Sequence, residues 1–465
     1  MQRDTHLTFG EIYGTREAML EDIEKVIDIA LYERDDGVPL QLRFITPLHL
    51  TDDWYTDESY CDYRITRPEE HTPDLQYVTV SYCWKHSQSL EGLPELPEYR
   101  IHGAFNSSNL PGRARRLRCP EIVFHRAVQF AKHVGCAYIW IDQECIDQDD
   151  SLDIEGHLQV MHRVYSESCW TAAVLSLNAP DQHKLDALKH WVELGLDNSQ
   201  DETDAAHILL ALHTLEEWSL DPWFWRTWAF QEKNCARSLY LLMAFSEDHI
   251  MSDYKLATPS GVYFSTVVDL CIHFHNFANP LVRTTTFLSK GLGISDQGER
   301  IKSTDIFQAV WRGFHASSSS LKHRIGKLLG CYVTNRRMTY SEATAIAFKM
   351  MGSCSNLVVA DRVSIMGNVL PWYKWRLHSN RLNSSDYSLS GCLFTLRLVN
   401  FCGQDPKQLR QRVWSEVSGG LMECKVTDWS CHVGKEIPTM LRQRGQAASI
   451  ATSSIVDGYE HGKLT

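Results

Sequence analysis

Residues 139–150 read IWIDQECIDQDD. The apolar run that ends at Ile141 begins at Ala137 and stops abruptly at Asp142. Gln143, Glu144, Asp147, Gln148, Asp149 and Asp150 follow. A strand buried on both faces reads as a continuous apolar run, and open α/β sheets place ligands at the carboxyl ends of such strands. The stretch predicts an interior strand over 137–141 with a site at its exit. Spacing alone leans instead to a solvated acidic loop behind a core strand.

The flanking segments supply its neighbours. On the amino side, Val123, Ala127, Phe130, Ala131 and Val134 share one helical face over 121–134, and Gly135 supplies a left-handed stop. Further upstream, YVTVSY at 77–82 is β-branched, aromatic and short enough for a strand. Prolines 94, 97 and 111 with glycines 92, 103 and 112 make 90–118 a long connection with little regular structure. On the carboxyl side, Leu158, Met161, Val164 and Tyr165 have helical spacing. TAAVLSL at 171–177 then reads as a third buried strand. Residues 204–218 form an amphipathic helix carrying Ile208, Leu209, Leu212 and Leu215 on one face, and Asp221-Pro222 ends it. A further helix starts in WFWRTWAFQEK at 223–233, before a fourth apolar run at 239–245. This alternation predicts an α/β fold: a parallel sheet flanked by helices.

The rest of the chain is less regular. Residues 1–75 read as an N-terminal leader subdomain that becomes acidic toward its end, and 76–250 as the α/β domain. Residues 251–435 read as a mostly helical C-terminal domain. Helices are expected at 303–320 and 341–351, whereas 361–369 and 393–398 fit either type. The polar, small-residue tail at 436–465 is expected to be disordered. No internal repeat is visible.

Composition narrows the function classes. The chain has 465 residues, 46 basic and 58 acidic, for a net charge of −12. That argues against nucleic acid or an anionic membrane as the main partner, since both need a basic face. The one basic cluster, Arg113, Arg115, Arg116 and Arg118, reads as a solvated loop. The first residues show no signal-type apolar core, and no apolar run is long enough to span a membrane. Fourteen cysteines without a CxxC pair read as reduced thiols, and hence as a cytoplasmic protein.

Three blocks occur in a telling order: YVTVSYCWKHS (77–87), IWIDQECIDQDD (139–150) and DPWFWRTWAFQEK (221–233). They resemble the signature blocks of the fungal heterokaryon incompatibility (HET) domain: Y-x-x-L-S-Y-x-W-G, W-I-D-x-x-C-I-N-Q and P-W-x-x-R-x-W-x-x-Q-E. Met161 and Tyr165 also match residues of that family before the third strand. The resemblance covers about residues 75–250. It implies a fold distantly like Toll/interleukin-receptor (TIR) domains, that is, a flavodoxin-like parallel α/β sheet. It also implies a role in non-self recognition with cell death as outcome, through protein partners and possible self-assembly of the domain. Some TIR domains cleave NAD with a glutamate near a W-C-x-x-E motif, and Trp228 to Glu232 has the same spacing here. Three departures stand out. Lys85 replaces the family's Gly, which removes backbone freedom but adds a cation that could meet a phosphate. Asp147 replaces an Asn. Asp153-Ile154 replaces a Glu-Arg pair at the entry to the next helix, a position read as structural.

Glu232 can also be argued for without the family. One helical turn puts Trp228 and Glu232 on one face, joined by Trp225 a turn earlier. A carboxylate beside indole rings is partly desolvated, which raises its pKa and suits it to acid/base work or to binding a ribose diol. The bland alternative makes both tryptophans core and pairs Glu232 with Arg226 or Lys233 at the surface. The candidate catalytic residue is therefore Glu232. Ser81, Tyr82, Trp84, Asp142 and Trp228 are the candidate binding residues, with NAD as the possible substrate. Ser81 lacks the G-x-S-x-G elbow of a nucleophile. Cys145 has no histidine in its block. Cys271, His273 and His275 lack the fourth ligand of a structural zinc, so no metal is expected. No P-loop sequence occurs. Three readings stay open: an association module, an NAD-processing enzyme, and a scaffold whose acids are only a solvated face.

Overall fold

Alternating apolar segments fold here into one mixed sheet covered on both faces. The structure is a computed structural model, and it describes residues 1–37, 39–51, 54–56, 60–72, 74–86, 96–103, 114–194, 202–244, 263–265, 269–274, 344, 347–348, 350–352, 354–401 and 419–426. The helices are α1 (Phe9–Tyr13), α2 (Arg16–Ala30), α3 (Glu121–His133), α4 (Asp142–Cys145), α5 (Ser151–Glu167), α6 (Gln182–Leu194), α7 (Glu202–Trp218), α8 (Thr227–Cys235), α9 (Asp361–Val369) and α10 (Leu389–Phe401). The strands are β1 (Leu31–Glu33), β2 (Ile45–Pro47), β3 (Asp62–Ile65), β4 (Val78–Tyr82), β5 (Arg100–His102), β6 (Ile139–Trp140), β7 (Trp170–Asn178), β8 (Leu239–Ala244), β9 (Tyr263–Ser265), β10 (Asp269–His273) and β11 (Trp375–Leu377).

Among the described residues the main sheet runs β5-β3-β2-β6-β4-β7-β8-β10-β9. Its central strands β6, β4, β7 and β8 are parallel. Counted along the chain these four lie in the order 2-1-3-4, so the order reverses at β4, and a crevice opens above such a reversal. Antiparallel β2 joins one side of this parallel core and antiparallel β10 the other. The expectation of a parallel sheet with helical cover therefore holds for the centre, and its flanks are mixed.

Side-chain alternation along the strands divides the core. Ala173, Leu175, Leu241 and Met243 face Leu188 and Trp191 of α6 and Ile208, Leu212 and Leu215 of α7. Ala172, Val174 and Leu242 face the other way, onto Val123, Ala127 and Phe130 of α3. Arg126 on α3 is 1 % exposed and reaches Asp269 on β10 at 2.7 Å, which ties the flank strand to the helical layer. Gly135 ends α3 with φ +67°, as its position suggested.

The N-terminal segment packs differently from an independent leader. Met19, Leu20, Ile23 and Val26 of α2 share a core with Val363 and Met366 of α9 and Leu393 and Phe394 of α10. β1 pairs antiparallel with β11, while β2 and β3 extend the main sheet. The expected boundary near residue 250 is crossed in the same way, because β9 and β10 belong to the sheet. The described part of the C-terminal region is otherwise helical apart from β11, and the segments 361–369 and 389–401 are helices. Short-range patterning cannot show this, since the partners lie more than 300 residues apart in sequence. The expected helix at 303–320 and the tail at 436–465 lie outside the described residues. Among the described residues no helix is long and apolar enough to cross a membrane.

Candidate functional site

β4 is buried along its length, and its last residues alternate across the sheet. Ser81 turns toward α8 and is 0 % exposed. The indole N–H of Trp223 donates to Ser81 Oγ at 2.6 Å. With that lone pair occupied, the Ser81 hydroxyl donates to the Glu232 carboxylate on α8. Tyr165 on α5, itself 1 % exposed, adds a second hydroxyl to Glu232.

Burial raises the Glu232 carboxyl from its ordinary 4.5 to about 7. The hydrogen bond from Ser81, the Arg226 charge and the Tyr165 hydroxyl oppose the rise, while the nearby Asp142 carboxylate adds to it. Desolvation wins because both hydroxyl donors are neutral and the one cation is engaged elsewhere. Arg226 Nη1 donates to the Tyr82 carbonyl at 2.5 Å. The alternative that made Glu232 a surface partner of Arg226 or Lys233 thus gives way to a carboxyl held by two hydroxyls at a strand end.

Tyr82 leads to the second acid. Its hydroxyl donates to Asp142 Oδ1 at 2.9 Å and lies 2.7 Å from Gln143 Oε1. The Trp84 indole N–H donates to Asp142 Oδ2 at 2.7 Å, and the Gln143 amide caps Oδ1 at 2.7 Å. Burial raises the Asp142 carboxyl, against the hydrogen bonds from Trp84 and Tyr82. Trp84 is 46 % exposed, so its ring faces open solvent while its polar edge is fixed. Lys85 beside it is also exposed.

Ser81, Tyr82, Trp84, Asp142 and Glu232 therefore come together at the ends of β4 and β6. Trp228 does not join them. Its indole N–H donates to Asp361 Oδ2 of α9 at 3.2 Å, and its ring packs against the core shared by α2, α9 and α10. Trp225 falls off the expected face because α8 starts only at Thr227. Trp225 lies on a 3-10 turn, Pro222–Trp225, and its indole donates to the Ser219 carbonyl at 2.8 Å. The indole at the site is instead Trp223, two residues earlier. Asp221 aims it by accepting from the Trp223, Ser176 and Leu177 amides, at 2.8, 2.7 and 3.1 Å, which locks the turn onto β7.

Of the acids after Asp142, Glu144 and Asp147 are buried, whereas Asp149 and Asp150 are exposed. Glu144 is 0 % exposed, pairs with Arg115 at 2.7 Å and accepts from the Cys119 amide at 2.8 Å. Asp147 is buried, and Arg118 lies 3.7 Å from the exposed Asp149. Arg115 and Arg118, read as part of a solvated loop, thus clamp this exit, while Arg113 lies outside the described residues. Asp153 pairs with Arg43 and accepts from the Asp147 amide at 2.7 Å, while Asp150 caps α5. Burial pushes the Cys145 thiol up to about 12, too high for a thiolate nucleophile at neutral pH.

Trp223, Tyr165, Arg226 and Gln143 are site residues that composition and spacing did not single out. Each acts across 60 or more residues of sequence, or on a backbone carbonyl. The local signals were that three of them lie within the quoted blocks and that Tyr165 matches a family residue before the third strand.

The matched region coincides with these segments. Residues 77–232 match the family model described as Heterokaryon incompatibility protein (HET). Heterokaryon incompatibility protein 6, OR allele, of Neurospora crassa is 26 % identical over 212 residues, which is 38 % of this chain and 30 % of that protein. No solved structure matches.

Proposed function

Starting from a heterokaryon incompatibility domain over residues 77–232, we propose that this chain is an intracellular recognition and death-signalling protein of fungal cells. Non-self contact engages it through protein partners, and cell death follows. The likeness to the Neurospora crassa heterokaryon incompatibility protein supports this role. The described cysteines are free thiols, in keeping with a reducing compartment. The 2-1-3-4 order of the parallel strands supports a TIR-like, flavodoxin-like label for the domain.

One observation favours chemistry over association alone: the Glu232 carboxyl, shifted to about 7 at the strand ends. A group half ionised at neutral pH suits general acid/base work. The reading is cleavage of NAD. The bond between the nicotinamide nitrogen and ribose C1′ breaks, with its electron pair going to nicotinamide. Water adds to C1′ and loses its proton to Glu232. Ser81 is fully buried and donates its own proton to Glu232, so it positions the carboxyl and is not the nucleophile. Asp142 orients Trp84, whose open ring offers a stacking surface for a base.

Induced expression in a fungal host tests both levels. Wild type is expected to stop growth and deplete cellular NAD, and Glu232→Gln to do neither. Full killing by Glu232→Gln with NAD preserved would leave signalling by association and remove the enzyme reading. Growth unaffected by wild type, at a level where the protein is folded and abundant, would remove the death-signalling reading itself.

A further inference from the structure

A second polar cluster lies where α5, α8, α9 and the β1–β11 ribbon meet. Arg376 sits in β11 opposite Tyr32 of β1 and is 2 % exposed. Among the described residues its Nε, Nη1 and Nη2 have no hydrogen-bond partner. Its stem lies against Gly367 of α9, where an added Cβ would come 2.8 Å from the arginine Cδ. Burial lowers the guanidinium to about 10, with Arg34 adding repulsion and Tyr32, Asp36 and Cys235 near enough to oppose it. The one carboxylate in that set is already engaged. Asp36 accepts from Arg34 Nε at 2.6 Å and lies 3.2 Å from His162 Nε2. A further buried donor, Gln231 Nε2 on α8, also lacks a partner among the described residues, and Gln231 is 0 % exposed. Gln231 shares its helix face with Cys235 one turn on, and both reach Asn368 of α9, at 3.5 and 3.9 Å.

An unpaired buried guanidinium is among the most costly arrangements a fold can hold, and buried charges are as a rule paired or bound to an ion. Arginine's planar fork fits a tetrahedral oxyanion, which it meets with two parallel N–H bonds. We infer that Arg376, with Arg34 at the rim and Gln231 on α8, holds a small phosphate-type oxyanion in the seam between the HET domain and the N- and C-terminal segments. The near-complete burial of Arg376 selects a free anion over the phosphate of a larger molecule. The partly exposed Arg34–Asp36 pair marks the way in.

Thermal unfolding of the full chain tests this, comparing saturating inorganic phosphate with chloride at equal ionic strength. The wild-type Tm is expected to rise by about 3 °C in phosphate and not in chloride. Arg376→Gln is expected to lose that response. In phosphate-free buffer it should melt at or above the wild-type temperature, because it removes an uncompensated charge. Gly367→Ala, which crowds the arginine stem, gives a second variant in case Arg376→Gln does not fold. It should need at least tenfold more phosphate for the same shift. Equal wild-type Tm in phosphate and chloride would overturn the inference. So would an undiminished response in Arg376→Gln or Gly367→Ala, or a response to AMP without one to inorganic phosphate.

Discussion

Replacing Glu232 by Gln is expected to stabilise the protein in a pH-dependent way. The wild-type carboxyl titrates near 7 instead of 4.5 because burial disfavours its charge. The folded state therefore holds this proton more tightly than the unfolded chain, by about 3 kcal/mol. A carboxyl whose folded pKa is raised contributes that stability fully below about 4.5 and loses it as pH rises through about 7. Gln is nearly isosteric with the protonated acid, and its amide oxygen can take the hydroxyl protons of Ser81 and Tyr165. Wild type and Glu232→Gln should be equally stable near pH 5. By pH 8.5 the variant should be more stable by about 2–3 kcal/mol. Urea unfolding of both proteins at a series of pH values checks this, because the other titrating groups cancel in the difference. A stability difference that does not change with pH would refute the reasoning, since it would mean that Glu232 titrates alike in the folded and unfolded chain.

Four further outcomes are expected. Ser81→Ala removes a donor that favours the ionised form, so the midpoint of Glu232 titration, followed through a pH–rate profile, should move above 7. Trp84→Ala should weaken ADP-ribose binding roughly tenfold in calorimetry while changing Tm by less than about 2 °C, since the ring is largely exposed. Asp269→Ala leaves Arg126 buried without its carboxylate and should cost about 3–5 kcal/mol in urea unfolding. Gly391→Ala would place a Cβ 1.8 Å from the Tyr13 hydroxyl, which Asp22 holds at 2.8 Å, and should cost roughly 2 kcal/mol or more.

The parallel centre of the sheet was legible because each of its strands is an apolar run bounded by turn residues. Spans 77–82, 171–177 and 239–245 came within a residue or so of β4, β7 and β8. β6 proved only two residues long, because Ile141 already leads into the turn α4 that carries Asp142. The meeting of Ser81, Tyr82, Trp84, Asp142 and Glu232 followed from strand order and the three quoted blocks. The indole was misassigned because a 3-10 turn replaces the first helical turn expected at 223–226, which takes Trp225 off the α8 face and brings Trp223 in, while Trp228, on α8 itself, is held by Asp361 of α9. The role of the first 33 residues was not legible at all. Their apolar faces find partners in α9 and α10, and no local spacing encodes a contact across that sequence distance.

Nicotinamide release by the purified full chain, followed across pH with NAD as substrate, decides whether Glu232 acts as the base in NAD cleavage. Turnover is expected to rise as pH passes through about 7, when Glu232 becomes a carboxylate able to accept a proton, and to fall by at least about 100-fold in Glu232→Gln. Equal release by wild type and Glu232→Gln would contradict that role.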